Sequence, residues 1–430
     1  MPPRRVSIAG IFALLSLIIL AVPRAGVAQV SYIARFTLER QTFLFGEPIF
    51  CTFTIQNTGS DVISFSYRPP FRVLNPELES EPRFSVRDDA GRPVDDPAPR
   101  PCGGAKGSAV YGSVRLPAGQ THTERWLLNQ WARFPRPGRY AVRAERRLPL
   151  FALDSTRQNF SDRPAAFALA INELTLELTG ATEAQREASF EPYFRIFDKP
   201  GSPAFPEAAL TVTTLPRPFM LDKLVKLTGV AAQARQWDRG QALEGLARLG
   251  TPAAWEAILK IALGEGGPTS TPADASKDDA LRAYAILLLG EKGDAAFLAP
   301  LLELLSQGPQ DLRGEILRAL GLFHLPRANQ VLFEKLRSPD GSDRVSAILG
   351  LRNLESKDSI PALIAMLNDS DAQVRQVAHF ALQRLTGQTI TLSSQASAAE
   401  AGRVAGEWHA WWREHGGSFV PVHQPPCHDW

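Results

Sequence analysis

The stretch RVSAILGLRNLESKDSIPALIAMLNDSDAQVRQVAHFALQRLTG (344–387) contains one complete sequence unit and the first part of the next. An arginine opens each unit, and apolar residues follow it after three and seven positions. The arginines recur every 31 residues, except that 12 additional residues (264–275) lengthen the first interval. Because the interval holds in several columns at once, the sequence predicts a tandem repeat. The repeated arginines are Arg239, Arg282, Arg313, Arg344 and Arg375.

Each unit is predicted to form two amphipathic helices. Apolar residues three, seven and ten positions after the arginine form one helical stripe, and those at 16, 19 and 23 positions form a second. A single helix pair cannot bury both stripes, so we expect successive pairs to stack into an α-solenoid over residues 235–388. Residues 181–234 are less regular, and we expect them to form a helical linker or N-terminal cap of the stack.

The unit resembles the short HEAT-like repeats of bacterial proteins. Asp371, Val374, Arg375 and Ala378 match the D-x-x-V-R-x-x-A opening of these repeats, and SIPALIAMLND (359–369) matches their second helix. This resemblance implies a structural role for the repeated arginines, which in the family bond to acidic or carbonyl groups of the adjacent unit. A ladder of arginines that binds an anionic ligand is the alternative interpretation.

Residues 29–180 have the two-residue periodicity of β-strands. In EPIFCTFTIQNTG (47–59) alternate residues are apolar and a turn follows, and PGRYAVRAE (137–145) predicts a later strand with Tyr140 and Val142 inward. Several short strands separated by turns indicate an antiparallel β-sandwich. These segments resemble secreted bacterial immunoglobulin-like domains, a class that includes proteinase-inhibitor-like modules and simple spacers. The predicted fold class is therefore a β-sandwich followed by an α-solenoid of HEAT-like helix pairs.

Residues 389–430 are predicted to form a tryptophan-rich capping helix and tail. Trp408, Trp411 and Trp412 share one helical face, and the last repeat has a first helix but no matching second one. We therefore expect these tryptophans to cover the open end of the solenoid. A sugar-binding aromatic platform is the alternative for the same three rings. A metal site is the alternative for the nearby metal-binding side chains, which are His409, His415, His423, Cys427 and His428.

Residues 1–28 have the pattern of a secretory signal peptide. Arg4 and Arg5 precede a long apolar stretch, and small residues end it at Ala28. An uncleaved membrane anchor is the alternative, although no later segment is apolar enough to span a bilayer. We expect a soluble periplasmic or extracellular protein without stable membrane insertion. In an oxidising compartment Cys51 and Cys102 are predicted to form a disulfide, which leaves Cys427 over.

The sequence contains no recognisable catalytic motif, and no cofactor is expected. The whole sequence has 47 basic and 45 acidic residues, and removing the leader removes Arg4, Arg5 and Arg24, so that 44 basic residues remain. No basic run suggests nucleic acid. The predicted function is non-enzymatic scaffolding, with a protein partner bound on the concave face of the solenoid, which we expect the second helices to line. The alternative is a ligand-binding or proteinase-inhibitor-like module that acts through the sandwich loops or the aromatic tail.

Overall fold

The computed structural model describes residues 30–67, 81–97, 112–154, 159–160, 163–197, 199, 202–229, 236–265 and 272–422. The predicted signal peptide, the loop that contains Cys102 and the last eight residues lie outside these ranges. The N-terminal half of the described chain is built of strands and the C-terminal half of helices, which confirms the predicted fold class.

The strands form two sheets that enclose one core. Strands β1, β3 and β7 form the small sheet, and the large sheet has the order β2-β10-β8-β4-β6, with β5 and β9 also paired to β8. The strands are β1 (Tyr32–Leu38), β2 (Thr42–Leu44), β3 (Phe50–Asn57), β4 (Ile63–Tyr67), β5 (Arg83–Asp88), β6 (Gly112–Leu116), β7 (Thr121–Leu127), β8 (Gly138–Asp154), β9 (Asn159–Phe160) and β10 (Ala166–Thr179).

Alternating apolar residues fill the space between the sheets. Phe36 and Phe53 contribute from the small sheet, and Tyr140 and Val142 contribute from the large one, as the period-two pattern predicts. One pairing differs from the expected antiparallel arrangement, because the three-residue strand β2 runs parallel to the end of β10. Such a short edge strand leaves little trace in the alternation pattern, so the sequence did not predict its direction.

In the described residues the α-helices begin with an irregular group of three and continue as five pairs, each with a first and a second helix. The irregular group is α1 (Glu183–Phe197), α2 (Phe205–Thr214) and α3 (Leu221–Gly229). The pairs are α4 (Gln236–Leu249) with α5 (Pro252–Leu263), α6 (Pro272–Lys292) with α7 (Leu298–Gln307), α8 (Gln310–Leu320) with α9 (Pro326–Lys335), α10 (Gly341–Leu354) with α11 (Ser359–Ala365), and α12 (Ala372–Thr386) with α13 (Ala398–His415).

Side chains just ahead of the helices determine where several of them begin. Asp340 accepts a hydrogen bond from the backbone nitrogen of Ser342 (2.8 Å), and Asp371 does the same for Gln373 (2.8 Å). An aspartate at this N-cap position satisfies a backbone N–H that has no partner within the helix. The aspartate four residues before Arg344 and Arg375 is therefore a helix start signal, and it places each arginine in the first turn.

The sandwich and the helical half are joined by a packed contact. Phe50 points away from the sandwich core and is buried beside Leu210 of α2, and its ring stacks on Tyr193 of α1 with centroids 6.3 Å apart. Arg125 of β7 donates to Glu207 of α2 over 2.6 Å and lies over the Phe50 ring. The buried Phe50 side chain and the Arg125–Glu207 ion pair thus connect the small sheet to helices α1 and α2.

Candidate interaction surface

The repeats stack as two layers that differ in spacing. Neighbouring first helices contact one another along their lengths, whereas neighbouring second helices approach at few positions. A Cβ added to Gly290 of α6 would lie 2.8 Å from the carbonyl oxygen of Ala319, and one on Gly350 would lie 2.5 Å from that of Leu317. Glycine at these positions therefore permits the close approach of the first helices.

The spacing of the layers identifies the inner face of the stack. In a curved solenoid the helices of the inner layer lie closer together than those of the outer layer, and the concave side is the usual binding surface. The closely spaced first helices therefore line the concave side. The expectation that the second helices line it disagrees with this packing. Glycines inside the first helices were the available sequence signal, because an interior glycine often marks a close backbone approach.

The open face of the first helices presents two columns of side chains, two and five positions after each repeat arginine. Contacts between units link the columns, since the hydroxyl of Tyr284 donates to a carboxylate oxygen of Glu244 (2.8 Å). The columns combine polar, charged and apolar side chains that are at least partly accessible. The first column is Gln241, Tyr284, Glu315, Ser346 and Val377, and the second is Glu244, Leu287, Arg318, Leu349 and Phe380.

The second helices expose a surface without large apolar side chains in its two outward columns. Their outward columns, 17 and 21 positions after the repeat arginine, hold polar or small side chains, and Lys260 pairs with Glu256 over 2.8 Å on the surface. An exposed pair of this kind contributes little to stability or recognition. The two columns are Glu256, Ala299, Gln330 and Pro361, and Lys260, Glu303, Glu334 and Ala365.

Two of the repeat arginines are held by aspartates that lie shortly before the arginine of the next unit. Arg344 donates to both carboxylate oxygens of Asp369, each over 2.8 Å, and Arg239 donates to Asp278 over 2.6 Å. The hydrogen bond to Asp369 raises the pKa of Arg344. Burial alone would raise the pKa of Asp369, but hydrogen bonds from Arg344 and the backbone lower it below its ordinary value. Both charges of this pair are therefore stabilised in the folded state.

A third arginine shares its aspartate with other donors. Arg313 donates to Asp343 over 3.1 Å, and the same carboxylate accepts from Lys335 and Ser338 over 3.0 Å each. Although burial would raise the pKa of Asp343, these three neighbours lower it below the ordinary value. The buried carboxylate is thus surrounded by donors that connect α8, α9 and α10.

Two arginines use backbone carbonyls instead. Arg282 donates to the carbonyl oxygen of Ala262 (3.2 Å), and Arg375 donates to those of Asp369 (2.9 Å) and Ser370 (3.1 Å). All five repeat arginines therefore already have acceptors within the solenoid, which argues against a ligand-binding ladder. Their aspartate partners were missed because Asp278, Asp343 and Asp369 stand at different distances from the next arginine, so they form no repeating column.

Helix α13 stacks beside α11 and takes the position of the second helix that the last repeat otherwise lacks. Ser397 caps its start, because the hydroxyl of Ser397 accepts from the backbone nitrogen of Glu400 (3.2 Å). Trp408 is fully buried, and its ring centroid lies 6.2 Å from that of His379 on α12. Trp408 thus covers apolar surface of the last repeat.

The other two tryptophans are half-buried and contact neighbouring rings. The Trp411 and Trp412 rings lie 5.4 and 5.7 Å from the Phe419 ring, and His415 stacks on Trp411 at 5.2 Å. Their faces are therefore partly used within the protein, which leaves little of a flat sugar-binding platform. His409 is exposed on the same helix, whereas His423, Cys427 and His428 lie outside the described residues. The described ranges contain no group of three or more metal-binding side chains.

Cys51 is a free thiol in the structure and is fully buried in the sandwich core. Burial raises the pKa of this thiol to about 12, so the unpaired thiol is protonated at neutral pH. Cys102 lies outside the described residues, and the pairing of Cys51 with Cys102 stays a prediction. No helix in the described part of the chain has the length and hydropathy needed to cross a bilayer.

The comparisons with known proteins agree with the helical architecture. Residues 343–369 match the family model described as PBS lyase HEAT-like repeat. A search of curated proteins found no match. The matched segment begins one residue before Arg344 and ends at its partner Asp369, so it covers most of one 31-residue unit of the solenoid.

Solved structures show similarity at low identity. Two engineered proteins are 21% and 18% identical, with TM-scores of 0.25 and 0.27; the matches cover 47% and 53% of this chain and 92% and 59% of theirs. A β-glucosidase from Erythrobacter marinus is 14% identical with a TM-score of 0.18, and the match covers 35% of this chain. This chain spans only 16% of that enzyme, so the likeness transfers no activity.

Proposed function

We propose that this chain is a non-enzymatic, exported scaffold that binds a protein partner through the concave face of its HEAT-like solenoid. The observation that carries the proposal is the difference between the two layers. The closely stacked first helices present an accessible face of mixed chemistry that includes Arg318, Leu349 and Phe380, whereas the repeat arginines are already used internally. A rigid concave face with apolar and charged side chains suits a polypeptide partner.

Export is part of the same proposal and rests on residues 1–28. Their charged start, apolar stretch and small-residue end are typical of a cleaved leader. The partner would then be a periplasmic or extracellular protein. The sandwich, packed against α1 and α2 through Phe50, would hold the solenoid in one orientation relative to the rest of the chain.

Site-specific photocrosslinking in the producing cell tests this proposal. A photoreactive phenylalanine analogue at Leu349 on the first-helix face is expected to crosslink to a defined envelope protein. The same residue at Gln330 on the second-helix surface is the matched control. The purified partner should then bind the mature chain with a measurable Kd. Crosslinking at Gln330 but not at Leu349, or binding that survives deletion of the helical half, would contradict the proposal.

A further inference from the structure

Successive first helices face each other through two recurring positions, one and eight residues after the repeat arginine. In the third unit these positions are Gly314 and Gly321. A Cβ added to Gly314 would lie 3.1 Å from the hydroxyl of Ser346 in the next first helix, and one added to Gly321 would overlap the carbonyl oxygen of Gly350 in that helix. The two positions therefore mark the side of a first helix that the next one covers.

On α12, the last of the described first helices, the two positions contact an extended segment instead of a helix. They hold Gln376 and Gln383, which donate to the carbonyl oxygens of Ser393 and Ile390, the latter over 2.7 Å. Seven residues of an α-helix and three residues of an extended chain both span about 10 Å, so these contacts match an extended chain antiparallel to α12. Residues 388–393 thus lie where a further first helix would stack.

The burial of residues 388–393 alternates as it does in a strand on the surface of a core. Ile390 and Leu392 pack against the solenoid core, whereas Thr389, Thr391 and Ser393 are exposed. The apolar contacts and the glutamine hydrogen bonds together hold the segment in this conformation. A segment that is already ordered loses little conformational entropy when it binds a partner.

The backbone of this segment has hydrogen-bonding groups that are not used within the described chain. Successive residues of an extended chain direct their backbone groups to opposite sides, and the carbonyl of Ile390 faces α12. The N–H and C=O groups of Thr389 and Thr391 therefore point away from α12, and they have no hydrogen-bond partner among the described residues. The alternation ends at Ser393, whose carbonyl also accepts a hydrogen bond from the turn that follows. The segment thus presents the free edge of a strand.

We infer that residues 388–393, here called the open strand, bind an extended segment of a partner protein by backbone pairing. In such strand addition the partner supplies N–H and C=O groups to those that the edge leaves unpaired. Threonine favours strands, and QTITLSSQ (388–395) contains no charged residue, so the fitting partner segment is uncharged and rich in β-branched residues. The inference goes beyond the proposed function, because the open strand lies at the end of the stack and outside the two columns of the concave face.

The C-terminal residues of this chain fit the edge poorly. The backbone nitrogen of Val422 donates to the carbonyl oxygen of Leu385 (2.9 Å), which is close to the start of the open strand. The sequence that follows contains the adjacent prolines Pro425 and Pro426. Because successive strand residues face opposite sides, one of two adjacent prolines would face the open strand without an N–H to donate. A partner segment with N–H groups at alternate positions satisfies the edge better.

Selection from a random peptide library tests the inference. Phage-displayed 12-residue peptides are selected on the full mature chain, and enriched sequences are synthesised with a fluorophore for anisotropy measurements. We expect uncharged peptides rich in Val, Ile and Thr, without proline in their central residues. Their Kd should change by less than about twofold between low and high salt, because the open strand carries no charge. No enrichment, or an affinity that falls steeply with salt, would overturn the inference.

Methylation of the peptide backbone distinguishes strand addition from binding through side chains. A peptide strand pairs with one neighbour through the N–H groups of alternate residues. N-methylation at those residues should weaken binding about tenfold or more, because a hydrogen bond is lost, whereas at the intervening residues the loss should be less than about threefold. Equal losses at all positions would contradict strand addition.

Hydrogen exchange and two variants locate the contact on the protein. The bound peptide should slow exchange of the Thr389 and Thr391 N–H groups about tenfold or more. Thr391→Pro removes one of these donors and should weaken binding about tenfold, whereas Thr391→Val keeps the donor and should change the Kd by less than about twofold. Thermal unfolding should be the same in both variants. If Thr391→Pro unfolds earlier, the exchange and N-methylation results on the parent chain decide.

Two other occupants of the edge give different results. Deletion of residues 423–430 should change the Kd of the peptides by less than about twofold, and a gain of about tenfold would assign the edge to the C-terminal residues of the same chain. The mature chain and Thr391→Pro should have the same mass in sedimentation. A dimeric parent chain with a monomeric Thr391→Pro variant would assign the edge to a second copy. Either assignment would overturn the inference of a partner segment.

Discussion

Arg146 in the sandwich and Arg344 in the solenoid are both paired with a carboxylate, but in different surroundings. Arg146 donates to Glu124 over 2.7 Å, with 3% and 1% of the two side chains exposed, and its guanidinium also lies 4.5 Å from the Phe53 ring centre. Arg344 and Asp369 form their pair with 12% and 9% of the side chains exposed. The first pair lies inside a core, whereas the second lies at the edge of one.

The two pairs also connect different parts of the fold. Glu124 belongs to the small sheet and Arg146 to the large one, so their pair joins the two layers at one place in the chain. The Arg344 pair joins α10 to the segment that leads into α12, and Arg239 and Arg313 make related contacts to the next first helix of the stack. The sandwich thus has this buried ion pair at one place between its sheets, while the solenoid has related ion pairs at several places along the stack. Perturbing each pair should show whether this difference holds in solution.

The largest effect is expected from Glu124→Gln. The substitution removes the buried carboxylate that accepts from the Arg146 guanidinium, which costs about 3–5 kcal/mol in the free energy of unfolding. Urea unfolding followed by hydrogen exchange, which assigns the loss to individual strands, measures it. Glu145→Gln on the exposed side of β8 is the control. A double variant, Glu124→Leu with Arg146→Met, should recover much of the loss, and a Glu124→Gln protein as stable as the parent would contradict the comparison.

Trp408→Ala is expected to lower the free energy of unfolding of the solenoid by a similar or slightly smaller amount. Removing a fully buried indole costs about 3–5 kcal/mol, here confined to the end of the stack. Hydrogen exchange should accelerate in α12 and α11 and stay unchanged in the sandwich. Trp412→Ala, which removes a half-buried ring from the same helix, should cost clearly less. Equal losses for the two tryptophans would mean that Trp408 is not the residue that closes the stack.

A moderate effect is expected from Arg344→Met, which keeps the apolar stem but removes the paired hydrogen bonds to Asp369. The loss should be about 1–3 kcal/mol, because the partner remains partly solvated. It should appear as faster exchange in α10 and the neighbouring helices α8 and α12. Arg403→Met, at an exposed pair on α13, is the control with an expected change below about 1 kcal/mol. Equal acceleration of exchange in the sandwich and throughout the solenoid would show that the effect of this pair is not confined to the neighbouring helices.

The smallest effect is a pH dependence from His379. Its ring is buried near Trp408, and desolvation lowers the pKa of the imidazole below the ordinary value of 6.5. Below that pH the unfolded chain binds a proton more readily than the folded one, so the stability of the last repeat should decrease as the pH falls from 6.5. Other units hold a buried aliphatic residue at this position, namely Leu243, Ile286, Leu317 and Ile348.

The variant that tests this dependence is His379→Leu. It should remove the loss of stability in acid from the C-terminal repeat while leaving the rest of the unfolding profile unchanged. His409→Gln, at an exposed position on α13, should retain the dependence. Chemical denaturation at several pH values between 5 and 8 measures both. An unchanged pH profile in His379→Leu would show that the buried imidazole is not its source.

The difference between the modules also explains what the sequence could predict. Repeats were recognisable because each unit meets a near copy of itself 31 residues away, so the packing partners stand in visible columns. In the sandwich, Phe36 donates its backbone N–H to Asn172, and no local pattern marks two residues so far apart as neighbours. The Glu124–Arg146 pair and the parallel strand β2 were not predicted for the same reason.

Within the solenoid the sequence was informative about the units and less so about the surfaces. The amphipathic stripes identify which side of each helix is buried, but both layers have such stripes. Which layer is inner depends on the distance between helices, and only small clues such as Gly290 and Gly350 record that distance.

The stack of repeats ends in two unlike structures, the joint around Phe50 at one side and the Trp408 helix at the other. Neither resembles an inner unit, so a copied repeat added at either end would expose its apolar stripe. A copy inserted between inner units would pack against neighbours that have the same buried positions as the units it was copied from. Gene duplication can therefore lengthen this protein from the middle, in whole steps of 31 residues, and each step would widen the concave face while both ends stay closed.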